Sequence, residues 1–263
     1  MLFDREPIRF HGKIPVFSEP SEYTECYEKM AEKRLAFVRE HGTIEEDRLQ
    51  SENATIQLIR KYSLPNQLIL DVGIGLARIL ERFPDLRRYG IDVSFGYLEE
   101  AQSKGIEVCY ALVEEMSYKE DIFDIVVCTD ILEHLIDLNL GVRKVLSVLK
   151  PGGFLIVRTP FKEDLSWYVS EENPYKYSHM RTFDENSLRL LFESIFNCEV
   201  IETLFSGYIP DPNRLNYPIP FPRRDKILNF FFTKLRSLYP STYDKLLCKW
   251  YKPIEINVVV KKI

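Results

Sequence analysis

The chain has 263 residues, enough for one large domain with a sizeable core or for a domain carrying an elaboration. Hydrophobic residues make up 45% and charged residues 29%, with a formal net charge of −5. That balance fits a globular protein and disfavours a general nucleic-acid binder, whose affinity rests on phosphate contacts.

Nothing at the N-terminus reads as a signal peptide, because Asp4, Arg5 and Glu6 follow the first three residues at once. No stretch approaches the roughly 20 apolar residues of a membrane span. The five cysteines (Cys26, Cys109, Cys128, Cys198 and Cys248) are scattered, without a Cys-x-x-Cys pair. Reduced thiols and a cytoplasmic location are therefore expected.

Residues 1–44 read as an N-terminal arm with few strong signals until a charged helix from about Ser21 to Glu40. Tyr23 and Tyr27 share one face of that helix. That face either packs on the core or forms a lid whose tyrosines close over a pocket. A second helix runs from about residue 45 to Tyr62, and Pro65 separates it from the next element.

Leu68-Ile-Leu-Asp-Val is a short buried strand, followed at once by Gly73 and Gly75. Arg78 onward has the composition of a helix start. Strands are then predicted at Arg88–Asp92, Ile106–Ala111, Asp124–Asp130 and Phe154–Thr159, separated by helix-length spacers. That alternation implies βαβ units and a parallel sheet. A helix at 187–196 leads into a sixth strand, Cys198–Phe205, and a seventh, Ile254–Val260, is expected to pair antiparallel beside it.

The 48 residues between the last two strands are too many for a hairpin loop and read as an insert. Five prolines fall within 208–222, after which residues 223–252 are basic, aromatic and helical in pattern. Such a helix suits a substrate lid, a homodimer surface or peripheral contact with an anionic membrane, where each basic residue adds about 1 kcal/mol.

Two kinds of nucleotide could use the glycine turn. A dinucleotide site wants Gly-x-Gly-x-x-Gly with a helix N-terminus on a pyrophosphate. Here Ala77 gives Gly-x-Gly-x-Ala spacing, and the preceding Asp71 would repel a pyrophosphate but suits a cationic ligand. Asp92, 21 residues further on, stands at a strand end where a carboxylate can accept from both ribose hydroxyls.

Five segments occur in the order of one family: Leu-Asp-Val-Gly-Ile-Gly at 70–75, Gly-Ile-Asp-Val-Ser at 90–94, Val-Glu-Glu-Met at 113–116, Phe-Asp-Ile-Val-Val-Cys-Thr-Asp-Ile-Leu-Glu-His at 123–134, and Leu-Lys-Pro-Gly-Gly at 149–153. Together they resemble the class I S-adenosylmethionine-dependent methyltransferases, specifically the small-molecule branch that includes quinone-biosynthesis and deoxysugar enzymes. The resemblance covers about residues 45–205. It implies an α/β Rossmann-like fold of seven mostly parallel strands with an antiparallel last strand, a helical N-terminal arm and an insert between the last two strands. The divisions are then 1–44 (arm or lid), 45–205 (cofactor-binding core), 206–253 (insert) and 254–263 (last core strand).

It further implies that Asp71, Val72, Gly73, Ile74 and Gly75 surround the methionine part of S-adenosylmethionine. Asp92 and Val93 would hold the ribose, Val113 and Glu114 would border the adenine, and Thr129 would lie beside the methionine moiety. Leu112 stands where the family commonly carries an acid. As plain structure, Asp71 could cap the following turn and Asp92 the helix after it.

Methyl transfer needs a general base only if the acceptor must lose a proton. His134, His179 and Asp130 are the candidates, with Arg181 beside His179; each could instead hold a turn or loop. No ligand spacing points to a metal, and none is expected. No Asn/Asp-Pro-Pro-Tyr segment follows the fourth strand, which with the acidic charge favours a small-molecule acceptor over nucleic acid. The alternatives are a non-catalytic methyltransferase-like partner subunit and a nicotinamide-dependent oxidoreductase.

Overall fold

The computed structural model describes residues 2–42, 46–210 and 251–263. Its centre is a mixed sheet built from β1 (Arg9–His11), β2 (Ile14–Val16), β3 (Leu68–Val72), β4 (Arg87–Asp92), β5 (Glu107–Tyr110), β6 (Phe123–Thr129), β7 (Leu149–Pro160), β8 (Glu199–Pro210) and β9 (Tyr251–Lys261). The order across the sheet is β1-β2-β5-β4-β3-β6-β7-β9-β8. β5, β4, β3, β6 and β7 are mutually parallel, as continuous apolar strands separated by crossovers require. The order reverses between β3 and β6, so the carboxyl ends of β3, β4 and β6 border a topological switch point, where α/β sheets take their ligands.

Alternation along β3 assigns its two faces. Leu70 and Val72 join one buried layer with Val142 and Val145 of α4 (Leu138–Val148). Ile69 joins the other, with Ile59 of α2 (Glu46–Tyr62) and Leu98 of α3 (Phe95–Ser103). Each such side chain contributes roughly 1.5–3 kcal/mol of apolar transfer, which makes this strand a firm platform for the glycines that follow it.

Three features depart from the sequence expectations. The sheet gains β1 and β2 from the N-terminal arm, where Val16 pairs with Tyr110 of β5. No α-helix follows the glycine turn; a short 3-10 turn, Leu80–Arg82, stands there, and Pro84 follows it. β9 lies antiparallel to β8 as expected, but it also pairs antiparallel with β7 and so sits between the two.

The arm's helix α1 (Glu22–His41) starts on a capping box made by Ser21 and Thr24 and ends at left-handed Gly42. The short α5 (Glu185–Arg189) runs on into a π-helical turn at 190–195. Cys26, Cys109, Cys128 and Cys198 are free thiols. Cys248 and the basic segment expected to touch membrane fall almost wholly in 211–250, outside the described residues. Among the described residues, no helix is long and apolar enough to cross a membrane.

Candidate active site

The turn after β3 is held from the neighbouring strand. The amides of Gly73 and Ile74 both donate to the carbonyl of Ile91, each at 2.9 Å. Gly73 and Gly75 have φ of +73° and +49°, left-handed values that favour glycine. A Cβ on Gly73 would lie 2.0 Å from Cδ1 of Ile131, so the loop after β6 rests directly on this glycine. A Cβ on Gly75 would meet nothing within 4 Å, leaving backbone open to a ligand.

Asp92 closes the turn. Its Oδ2 accepts from the Gly75 amide at 2.9 Å, while Oδ1 accepts from Val93 at 2.8 Å and Ser94 at 3.0 Å. The cap of α3 is Ser94, whose hydroxyl accepts from the amide of Tyr97, so Asp92 is not that helix's cap. Burial raises the Asp92 carboxyl to about 6, against the lowering effect of those three amides.

Asp71 is 2% exposed, and its Oδ1 has no hydrogen-bond partner among the described residues. Burial pushes its carboxyl well above the ordinary range; Arg158 opposes this, and Asp92 and Asp130 add to it. An orphaned acid of this kind is costly by itself and is relieved by a cation. The residues present thus fit a ligand bearing an ammonium and a sulfonium, with open glycine backbone to receive it.

Val113 and Glu114 form a 3-10 turn after β5, and burial raises the Glu114 carboxyl. The Leu112 amide, before them, donates to Ser18 Oγ at 2.9 Å, so the arm occupies backbone beside the expected adenine position. A cleft of about 440 Å³ opens next to it, lined by Arg5, Phe17, Glu114 and Met116 among others. Thr129 ends β6 with 8% of its surface exposed.

Asp130 follows in a left-handed conformation, φ +57°. Both its oxygens meet Arg158, through Nε at 3.2 Å and Nη2 at 2.5 Å. That fork commits the carboxylate to a guanidinium and leaves it poorly suited to taking a proton. Arg158 is a charged residue in the middle of an apolar strand, a signal visible in the sequence but not used there.

The two histidines come together. Their rings pack edge-to-face with centroids 4.6 Å apart. The loop holding His179 is docked by the Met180 amide on the Glu133 carbonyl at 2.9 Å. Arg181 donates to the Leu132 and Leu135 carbonyls at 2.8 and 2.5 Å, anchoring this loop. Tyr27 Oη bonds His134 Nδ1 at 2.8 Å, and Tyr23 packs on Tyr27 at 4.7 Å. Further along α1, Glu28 accepts from the Phe95 and Gly96 amides at the start of α3. The arm's helix therefore runs from the edge of the Asp92 turn to the histidines.

Burial drives the His134 imidazole down to about 4, assisted by His179. Glu133 is fully buried, and neither carboxylate oxygen has a partner among the described residues. Glu133, His134 and His179 offer ligand-capable atoms within 4.8 Å of one another, a closeness their sequence spacing does not reveal. Glu163 and Tyr168, which contact His179, carried no sequence signal, being single polar residues in an irregular stretch.

Residues 70–157 match the methyltransferase domain family. Over these residues the chain carries a methyltransferase domain. The methyltransferase domain also has curated relatives. One is a ubiquinone biosynthesis O-methyltransferase from Bradyrhizobium sp. (strain ORS 278), 33% identical over 99 residues, spanning 35% of this chain and 39% of that protein. Another is a tRNA (carboxymethyluridine(34)-5-O)-methyltransferase from Arabidopsis thaliana, 31% identical over 99 residues, spanning 36% of this chain and 24% of that protein. The chain thus spans well under half the length of either relative.

A methyltransferase structure from Thermotoga maritima superposes with a TM-score of 0.58 at 17% identity, covering 92% of this chain and 100% of that one. One from Archaeoglobus fulgidus gives 0.57 at 14% identity, covering 87% and 99%. At such identities the two structures speak for the fold of the methyltransferase domain and its flanking elements.

Proposed function

We propose that the protein transfers the methyl group of S-adenosylmethionine to an oxygen or nitrogen of a small-molecule acceptor. The observation that carries this is the buried, unpartnered Asp71 oxygen beside the open turn of Gly73 and Gly75, closed by Asp92. Asp71 would face the cationic methionine end, with the backbone of Gly73–Gly75 beside it. Asp92, fixed by three amides but still partly accessible, would receive the ribose hydroxyls. Val113 and Glu114 would border the adenine, and Thr129 the methionine moiety.

When bound, the cofactor supplies an activated methyl on a sulfonium, so the protein's task is mainly positioning and exclusion of water. The loop 130–134 rests on Gly73 through Ile131, which supports an acceptor-side role for His134 and for His179 packed on it. Tyr23 and Tyr27 cover that side as a lid. The bland alternative, a cofactor-free partner subunit, makes the opposite prediction for binding.

Isothermal titration with S-adenosylhomocysteine tests the reading. Asp71→Ala and Asp92→Ala should each weaken binding at least about tenfold, the loss of roughly 1.4 kcal/mol. No binding by the unmodified protein would favour the scaffold, and unchanged affinity in both variants would refute the pocket. A screen of acceptor classes with a radiolabelled methyl group then identifies the acceptor.

A further inference from the structure

Of the two histidines at the acceptor side, only one is equipped to take up a proton. His134 has its Nδ1 on Tyr27 Oη at 2.8 Å, sits in a largely buried position, and stays neutral because burial disfavours its charged form. Among the described residues, no carboxylate is hydrogen-bonded to its ring to stabilise an imidazolium, so it serves as a wall. His179 is different. Its Nδ1 contacts Glu163 Oε2, and Tyr168 Oη bonds Glu163 Oε1 at 2.7 Å while facing the same Nδ1 at 3.1 Å. His179 and Glu163 are only 19% and 26% exposed, so the pair is poorly screened. Burial raises the Glu163 carboxyl, but the bonds from His179 and Tyr168 outweigh it and hold the group below its ordinary value.

We propose that Glu163 and Tyr168 position His179 as the proton acceptor for a hydroxyl-bearing substrate, making the reaction an O-methylation. The inference rests on the methyltransferase reading above and deepens it. A carboxylate on Nδ1 selects the Nδ1–H tautomer, leaves the lone pair on Nε2, and stabilises the imidazolium once formed. A neutral amine already offers its lone pair and has no use for such a pair. A hydroxyl must shed its proton as the new bond forms.

In the step itself, the acceptor O–H proton passes to His179 Nε2. An oxygen lone pair forms the O–CH3 bond while the C–S bond breaks with its electrons going to sulfur. The products are a methyl ether, S-adenosylhomocysteine and an imidazolium, which returns its proton to water. The exposed Trp167, Met180 and Ile136, each a near neighbour in sequence of these groups, offer apolar surface for the body of the acceptor.

The test begins with long-range 15N–1H NMR of the imidazoles in the full-length protein. His179 should show the Nδ1–H tautomer, and Glu163→Gln should shift it to a mixture. A wild-type Nε2–H tautomer would overturn the proposal. Catechol and aniline, supplied with radiolabelled methyl donor, then serve as hydroxyl and neutral-amine probes. Transfer should favour catechol, and Glu163→Gln should lower kcat about 100-fold with little change in KM, with partial rescue by Glu163→Asp. Preferred transfer to aniline, or full activity in Glu163→Gln, would overturn it. If neither probe is methylated, the tautomer decides. A cobalt(II) titration closes a further route: a ligand-field band that disappears in His179→Ala would make His179 a metal ligand and overturn its role as base. S-adenosylhomocysteine binding should be unchanged in Glu163→Gln. Its absence in the wild type would instead count against the methyltransferase reading.

Discussion

Gly73→Ala probes the contact that joins the two halves of the site. The new methyl group would stand 2.0 Å from Ile131 Cδ1 and 2.8 Å from its Cγ1, on a backbone with φ +73°. The left-handed backbone costs about 1–2 kcal/mol for a residue with a Cβ. Displacing Ile131, which packs against the buried layer beneath it, costs about 1–3 kcal/mol by overpacking. The single change should therefore destabilise by about 2–5 kcal/mol, a fall in Tm of roughly 5–15 °C for a chain of this size.

Ile131→Ala removes the atoms that clash, so the double variant should retain only the backbone part. A double-mutant cycle by chemical denaturation should then show a coupling of about 1–3 kcal/mol between the two positions. Additivity within about 0.5 kcal/mol would refute the claim that the loop after β6 is seated on the glycine turn.

Other consequences are equally direct. Ala77 is fully buried with φ +57°, so Ala77→Gly gains about 1–2 kcal/mol of backbone relief but loses about 0.8 for the methyl and about 0.5–1 in entropy. Thermal melts should therefore place it within about 0.8 kcal/mol of wild type, whereas Ala77→Val should cost at least about 2 kcal/mol. Arg158→Met removes the guanidinium from both Asp130 oxygens and should cost about 2–3 kcal/mol in denaturant titration, below the fully buried range because part of Asp130 faces solvent. Adding Asp130→Asn should recover part of that loss.

Asp92 predicts a pH dependence of binding and of stability. Its folded value, about 6, lies above the ordinary 3.8, so between these limits the folded state holds more protons than the unfolded one. Its contribution to stability is therefore full below about 3.8 and falls as pH rises to about 6. On the ribose-holding role proposed for Asp92, the ionised form is the one that would accept from two hydroxyls, so S-adenosylhomocysteine affinity should drop when pH falls from 7.5 to 5.5. Calorimetry on Asp92→Asn should show weaker binding without that drop.

The parallel centre of the sheet was legible because its information is local: apolar runs of strand length, glycine turns at their ends and helix-length spacers between. The glycine turn with Asp71 and Asp92 was legible for the same reason. β1 and β2 were not, since three residues such as Arg9–His11 carry no periodicity and owe their pairing to a distant strand. The helix expected at Arg78 failed because Ala77 turns left-handed and Pro84 closes the available length. On the proposed acceptor side, His134 and His179 stood out by type, but Glu163 and Tyr168 acquire meaning only through a loop that folds back on itself. Arg158 could have been found: a lone charge in Phe154-Leu-Ile-Val-Arg-Thr requires a counter-ion within reach.

The placement of β9 between β7 and β8 has a bearing on how such a protein can diversify. Pro210 and Tyr251 are register partners on adjacent strands, so the forty positions between them begin and end at one spot. The strands themselves hold the two ends of this graft together as a closed clasp. The clasp also imposes an order of events at the ribosome. The antiparallel pairing of Ile256, Val258 and Val260 with β7 is unavailable until β9 itself emerges, so the graft is synthesised before the sheet it belongs to is complete.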